Sequence, residues 1–392
     1  MSLVGTQMRF VAVPWQVFQL THSTVAVGIV GLVEVIPLIA MSILGGAFAD
    51  SMDRKLVVAR SNAGLLLTSL ALGMLTFSGR ASLTGVYVIT AVASAVSAID
   101  RPARNAMMPS LVSEEQLPAV MALRQVAFQV TMIVGPAIGG LMIASFSLGW
   151  VYVIDAVTYL AAAYSLRWIP TLLPEKGEGR SGLRAIRDGL RFSFRTPTLL
   201  SIFLIDLVAM IFGMPRAVFP YLATNVFHSG AAGVGLLYAA PAAGALIAAG
   251  AAGWVRRVQR QGVAVIVSVA VWGAAIVAAG LSLWSLAVTM AFLAIAGAAD
   301  VYSAVFRGTM LLEATPDELR GRVSAVNIMV VTGGPRVGDL EAGLVAGAVG
   351  AGPSVVIGGL ACLVGTAVIA WAIPALGAYR TKVAPDLPYS PT

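Results

Sequence analysis

The chain is predicted to be an all-α polytopic membrane protein of two six-helix bundles, twelve spans in all. Three observations carry that prediction. First, 58% of its 392 residues are hydrophobic and only 11% are charged, against about 25% charged in soluble domains. No water-soluble fold of this length hides so much apolar surface. Second, the apolar residues fall in blocks of roughly twenty, the length of helix that crosses about 30 Å of hydrocarbon. Twelve such blocks use about 240 residues and leave short loops. Third, the sequence repeats itself. Asp100 is followed by Arg104, a polar cap from Ser113 to Leu117, and Gly135-Pro136-Ala137-Ile138-Gly139-Gly140. From Asp300 the same features return in order: Arg307, a cap from Thr315 to Leu319, and Gly334-Pro335-Arg336-Val337-Gly338-Asp339. Such a duplication divides a membrane protein into two related halves.

The first apolar run, Val4 to Leu20, contains Gln7, Arg9, Gln16 and Gln19 and begins almost at Met1 with no charged segment before it. It is short for a span, so a truncated first span is expected, from a clipped chain or a late start. No basic region leads to a cleavage site, so no cleaved signal peptide is read. The second run covers 25–48 and holds Glu34; the polar loop Gly46-Ala47-Phe48-Ala49-Asp50-Ser51-Met52-Asp53-Arg54-Lys55 follows. Runs three and four cover 56–77 and 83–98, and the hinge Asp100-Arg101-Pro102-Ala103-Arg104 leads towards the fifth, 117–144. There Pro136 removes a backbone hydrogen bond and bends the helix, while Gly135, Gly139 and Gly140 let a neighbour come close. The sixth run, 148–168, includes Asp155.

These runs make a first bundle over 1–168. The linker 169–196 carries Arg180, Arg184, Arg187, Arg191 and Arg195 at spacings of 4, 3, 4 and 4, which puts five cations on one helical face. It reads as an amphipathic helix on the anionic inner leaflet, or as a solvated linker helix. The second bundle, 197–376, has runs at 199–222, 232–254, 263–281, 283–306, 319–346 and 353–373. The tail 377–392 is polar with Pro385, Pro388 and Pro391 and reads as disordered.

Alternate loops hold the basic residues. One side has Arg54, Lys55, Arg60, Arg101, Arg104, the Arg180 series, Arg256, Arg257, Arg260, Arg307, Arg320, Arg322, Arg380 and Lys382. The other has Arg80, His22 and His228, with Arg216 near its edge. The positive-inside rule then puts both termini in the cytoplasm. The net charge of +7 sits in these loops, which argues for a lipid bilayer and against nucleic acid as the partner. The single Cys362 excludes an intramolecular disulfide and a cysteine metal cluster. No G-x-x-x-x-G-K-[ST] loop is present, and neither enzymatic activity nor a cofactor or metal is expected.

An ionised side chain at the bilayer centre costs about 2.5–3.5 kcal/mol, so such residues mark a cavity or a task. The candidates are Arg9, Glu34, Asp155, Asp206, Arg216, Asp300, Arg336, Asp339 and Glu341. Asp100 and Asp300, at helix–loop junctions, read equally well as structural. Arg336 and Asp339 are three apart and are expected to neutralise each other on one helical face. Glu341 lies about 200° round the helix from Asp339 and has no local partner. A lone carboxyl away from water suits a proton carrier, and Glu34 is the second such acid. The structural alternative is that these acids satisfy interhelical hydrogen bonds.

The loop from Gly46 to Lys55 resembles the signature G-x-L-A-D-R-x-G-R-R between helices two and three of the major facilitator superfamily. Gly46, Asp50, Arg54 and Lys55 match; Ser51 replaces a basic residue and Asp53 a glycine. In that family the glycine permits close helix approach and the acid pairs with a helix terminus or with an arginine of the other bundle, as suits an anion at a helix start. Gly135 to Gly140 resembles the fifth-helix motif associated with antiporters there. Val13-Pro14-Trp15-Gln16-Val17, Gly31-Leu32-Val33-Glu34, Pro102-Ala103-Arg104, Ile154-Asp155-Ala156, Asp206-Leu207, Phe212 through Pro220 and Gly338-Asp339-Leu340-Glu341-Ala342-Gly343 resemble the enterobactin exporter branch. The resemblance implies a monomeric exporter of the bacterial inner membrane. It would rock its bundles about a midplane cavity and exchange protons, with the gradient as its energy source, for a siderophore or similar amphiphilic small molecule. The alternatives are a general multidrug exporter, or a transporter-like protein that no longer transports and acts as a sensor or assembly partner.

Overall fold

The computed structural model describes residues 2–113, 115–169 and 183–381, without the side chains of 2, 42–51, 106, 109, 183–186 and 256. Arg180, Lys382, Pro385, Pro388 and Pro391 lie outside the described residues, as do the side chains of Asp50 and Arg184 and the surroundings of Gly46. Among the described residues the secondary structure is all helix. The first half holds α1 (Ser2–Thr21), α2 (Thr24–Ser51), α3 (Arg54–Phe77), α4 (Leu83–Met107), α5 (Leu117–Ser145) and α6 (Leu148–Ser165). After α7 (Leu183–Arg195) come α8 (Pro197–Phe212), the single turn α9 (Phe219–Tyr221), α10 (Gly230–Gly250), α11 (Gln261–Leu281), α12 (Leu286–Glu313), α13 (Arg320–Val349), α14 (Ala351–Ala372) and the short α15 (Pro374–Ala378).

Among the described residues, ten segments are long and apolar enough to cross a bilayer. α1 and α13 are not among them because of their polar content. α1 carries Gln7, Arg9, Gln16 and Gln19; α13 carries Arg320, Arg322, Arg336, Asp339 and Glu341. At 1.5 Å per residue, the 20 residues of α1 still reach about 30 Å, so the run expected to fall short has the full hydrocarbon length. The polar loop after the second run is also tighter than its composition suggests. α2 continues to Ser51, and Met52-Asp53 alone make the turn. The Asp53 side chain caps α3 by accepting from the Lys55 amide at 2.9 Å, and Lys55 Nζ donates to the Ile169 carbonyl at 2.5 Å.

The duplication is visible in the packing. In the first half α1 packs on α5 and α6, α2 on α4, and α3 on α4 and α6. In the second, α8 packs on α13 and α14, α10 on α12, and α11 on α12 and α14. Ser82 and Ser285 cap the equivalent helices α4 and α12. His22 and His228 occupy equivalent turns with φ of 50° and 52°.

Two related interfaces join the halves, α2 on α13 and α5 on α10. Small residues bring the backbones into contact, as in membrane helix pairs generally. A Cβ on Gly31 would stand 2.2 Å from the Arg336 carbonyl oxygen, and one on Gly343 2.6 Å from that of Thr24. At the second interface a Cβ on Gly140 would meet Ala231 O at 2.6 Å, and one on Gly235 Pro136 O at 2.5 Å. Gly135 and Gly139 instead admit Gln7 and Met8 of α1, while Gly334 and Gly338 admit Met210 of α8. The proline motif of each half thus seats a helix of its own half and, beside it, one of the other.

Both interfaces close at the end away from the basic loops. Towards the basic end α5 is bare: Met121, Leu123, Val126, Phe128 and Val130 are all exposed, and they point all round the helix. The linker helix α7 docks on the basic end of α13, so protein covers one of its faces. Gly189 meets the Arg322 backbone, Ser193 is buried, and Asp188 pairs with Arg322 at 3.3 Å. Arg187, Arg191 and Arg195 stay exposed.

A Cβ on Gly347 would lie 2.5 Å from Val25 Cγ2, so a Val25→Cys/Gly347→Cys pair in a Cys362→Ala background should oxidise readily to a disulfide. Adding Gly31→Leu should prise α2 from α13 and cut the cross-linked fraction, read as a gel-mobility shift.

Candidate functional site

The site begins with a helix break. α8 stops at Phe212 because Gly213-Met214-Pro215 follows, and Pro215 has no amide hydrogen to continue the ladder. The Gly213 amide donates to Ala209 O at 2.8 Å. The freed Gly213 carbonyl accepts from Trp272 Nε1 of α11 at 2.8 Å. A 3₁₀ turn, Arg216–Val218, then leads into α9 and a π turn at Leu222–Val226. The sequence places Arg216 near the edge of an outer loop; the break carries it into the interior instead.

There Arg216 clamps Asp339 of α13 with two hydrogen bonds, Nε to Oδ1 at 3.2 Å and Nη2 to Oδ2 at 2.8 Å. Nη2 also donates to Pro335 O at 3.1 Å. The guanidinium lies 5.2 Å above the Phe10 ring of α1, within cation–π range. Arg336 reaches the other way. Its Nε donates to Glu34 Oε2 of α2 at 3.1 Å and its Nη1 to Thr332 O at 2.7 Å. This ion pair crosses between the halves beside the Gly31 contact.

Two expectations are corrected here. Arg336 and Asp339 do not neutralise each other, and Glu34 is not a lone acid. Pairing Arg336 with Asp339 would have stranded Glu34 and Arg216 as unmatched charges, at several kcal/mol per ion. The observed exchange satisfies all four and gives Asp339 a bidentate partner.

The remaining charges are held inside each half. Arg9 faces Asp155 at 3.5 Å, and Ser69 donates to Asp155 at 2.7 Å. Arg104 pairs with Asp100 at 2.7 Å and donates to Asn62 at 2.8 Å. In the second half Arg307 pairs with Asp206 and lies 3.7 Å from Asp300. Asp300 is not at a helix–loop junction as expected: α12 runs on to Glu313, which leaves Asp300 in mid-helix. Glu341 has no partner among the described residues. It sits on the outward side of α13 between Val337 and Leu344, which are 39% and 50% exposed, away from the other charges.

A cavity of about 200 Å³ opens beside Arg216, lined by Phe10, Met132, Arg216, Phe219, Tyr238, Trp272 and Asp300 among others. Tyr238 meets Phe10 and Phe219 edge-on at 5.4 and 5.2 Å. A smaller space of about 20 Å³ touches Glu34 and Asp339. Sequence reasoning missed Phe10, Phe219, Tyr238 and Trp272, because an aromatic residue in an apolar run carries no mark of facing a cavity rather than lipid.

The chain matches the family described as transmembrane secretion effector over residues 1–386. It is 29% identical over 328 residues to the enterobactin exporter EntS of Citrobacter koseri, covering 83% of this chain and 78% of that protein. The same figures hold for EntS of Shigella boydii. Among solved structures, an inward-facing, unoccupied bacterial homolog of the human lysosomal transporter Spinster superposes with a TM-score of 0.73 at 16% identity, covering 98% of this chain and 96% of that one. An inward-facing bacterial homologue of the iron transporter ferroportin gives 0.73 at 15% identity, with 96% of each chain covered. These likenesses show the major facilitator fold.

Reversing one member of the interhalf pair, Glu34→Arg or Arg336→Glu, should lower the melting temperature by several degrees, since it leaves like charges together. The double reversal should recover most of that loss. A double-mutant cycle on purified protein measures the coupling, and additive losses would show that the pair contributes nothing.

Proposed function

The chain belongs to the transmembrane secretion effector family, and from that premise we propose that it is a proton-coupled antiporter of a bacterial inner membrane exporting an amphiphilic small molecule. The observation that carries this is the polar-and-aromatic cavity between two halves whose closest backbone contacts, among the described residues, lie towards the end away from the basic loops. The positive-inside rule assigns the bare, basic end to the cytoplasm, which makes the arrangement open on the side where an exporter loads. To release cargo, α2 must part from α13 and α5 from α10 while the basic end closes, with the halves moving largely as rigid bodies. The relatives named as enterobactin exporters favour a siderophore or a molecule of similar amphiphilic character.

The coupling follows from the pairs. Glu34 keeps Arg336 only while the halves touch, so opening must hand its charge to water or to a proton. Asp339, held by Arg216 beside the same contact, is the second acid whose surroundings change. Glu341 faces away from both and is the weaker candidate.

In inverted membrane vesicles, cargo uptake should rise with an imposed proton gradient and collapse with a protonophore. Glu34→Gln should bind cargo yet lose most of the gradient dependence, and Asp339→Asn should lose that dependence too, whereas Glu341→Gln should keep it. Full gradient-driven uptake in both of the first two variants would refute the coupling assignment.

A further inference from the structure

The acids and bases around the cavity are not matched one to one, and this bears on what it accepts. Arg216 and Asp300 are the charged residues on its described wall. Arg216 is already spent: Asp339 holds it through two hydrogen bonds and Pro335 O takes a third. Asp300 is in the opposite position. Its nearest cation is Arg307, whose guanidinium is committed to Asp206, and those two side chains are only 7% and 3% exposed. Asp300 Oδ1 is buried without a hydrogen-bond donor and stands 3.7 Å from Arg307 Nη2, while 30% of the side chain is open. Two carboxylates therefore share one guanidinium, and the acid left without a donor, Asp300, is the one at the cavity.

Aromatic residues line the same space. Phe219, Tyr238 and Trp272 line it with Asp300. Ring faces attract cations, best when water is excluded. An anion would find Arg216 already occupied and would meet Asp300 in a medium of low dielectric, where repulsion between like charges is weakly screened.

We propose that the cavity selects cationic over anionic amphiphiles, with Asp300 as counter-charge and the Phe219, Tyr238 and Trp272 rings as cage. The proposal rests on the exporter reading for its biological meaning and narrows its substrate class. A hydrophobic ammonium compound fits the wall; a catecholate anion would have to displace Asp339 from Arg216 first.

The test is binding of phenylbutylammonium and phenylbutyrate, near-equal in size and opposite in charge, to the full chain in lipid nanodiscs. Tryptophan fluorescence reports the site through Trp272, with protein-free discs subtracted. The ammonium compound should bind roughly tenfold tighter. Asp300→Asn should erase the preference, and Asp339→Asn, which frees Arg216, should move it towards the anion. Equal affinities, a preference for phenylbutyrate or no binding of either probe in the unaltered protein overturns the proposal without recourse to variants. So does a preference that survives Asp300→Asn in a protein with an unchanged melting profile. Because binding is read without transport, a cation preference in a protein that drives no gradient-coupled uptake would sink the exporter reading and leave this one standing.

Discussion

Charges taken out of water must find opposite charges, and the arrangement of this protein depends on how they do so. A lone ion in the interior costs several kcal/mol, and good geometry with a partner offsets that cost. Asp339 is satisfied by Arg216 at 2.8 Å, Glu34 by Arg336 at 3.1 Å and Asp155 by Arg9 at 3.5 Å. Each pair joins helices that are distant in sequence. The pairs therefore act as registration marks: α2 has to meet α13 where Glu34 finds Arg336, and the break after α8 has to deliver Arg216 beside Asp339.

The two halves repeat one plan but are not equivalent. Gly135 to Gly140 and Gly334 to Asp339 align position by position, so Arg336 stands where the first half has Ala137, and Asp339 where it has Gly140. The α5–α10 contact is accordingly uncharged, with Gly140 against Gly235. The α2–α13 contact has the same close backbones with an ion pair set into them. One interface resembles a smooth hinge of small residues, the other a contact whose strength depends on charge. The proposed cycle uses both: surfaces that separate cheaply, and one whose separation breaks an ion pair.

The bends serve the same end. Pro136 and Pro335 lie inside continuous helices, whereas Pro215 follows an actual break. At the break, Trp272 accounts for the freed Gly213 carbonyl, which removes the cost of an unsatisfied polar group in an apolar setting. The same tryptophan then forms part of the cavity wall. Local backbone chemistry and the shape of the site are thus settled by one side chain.

The fold class was legible in the sequence because hydrocarbon thickness imposes a length and a composition on every span. The duplication was legible because the repeated glycine–proline pattern is set by close helix approach, which tolerates few other residues. The intramembrane charges could be counted for the same reason: each is expensive, so each stands out. Their partners could not be read. Sequence spacing suggested Arg336 with Asp339, but partner choice is a property of which helices touch, and only tertiary packing brings Glu34 across from 302 residues away. Arg216 moved from a loop edge to the interior because a break redirects the chain in a way that hydropathy does not record. Asp300 became a cavity acid because the helices packed around α12, which its own apolar run does not record, leave it on the cavity wall. The sequence by itself determined that this chain is a membrane bundle in two related halves with several costly charges. Tertiary structure alone decided which charges pair and that Asp300, left without a donor, stands at the cavity, because electrostatic pairing depends on distance in space.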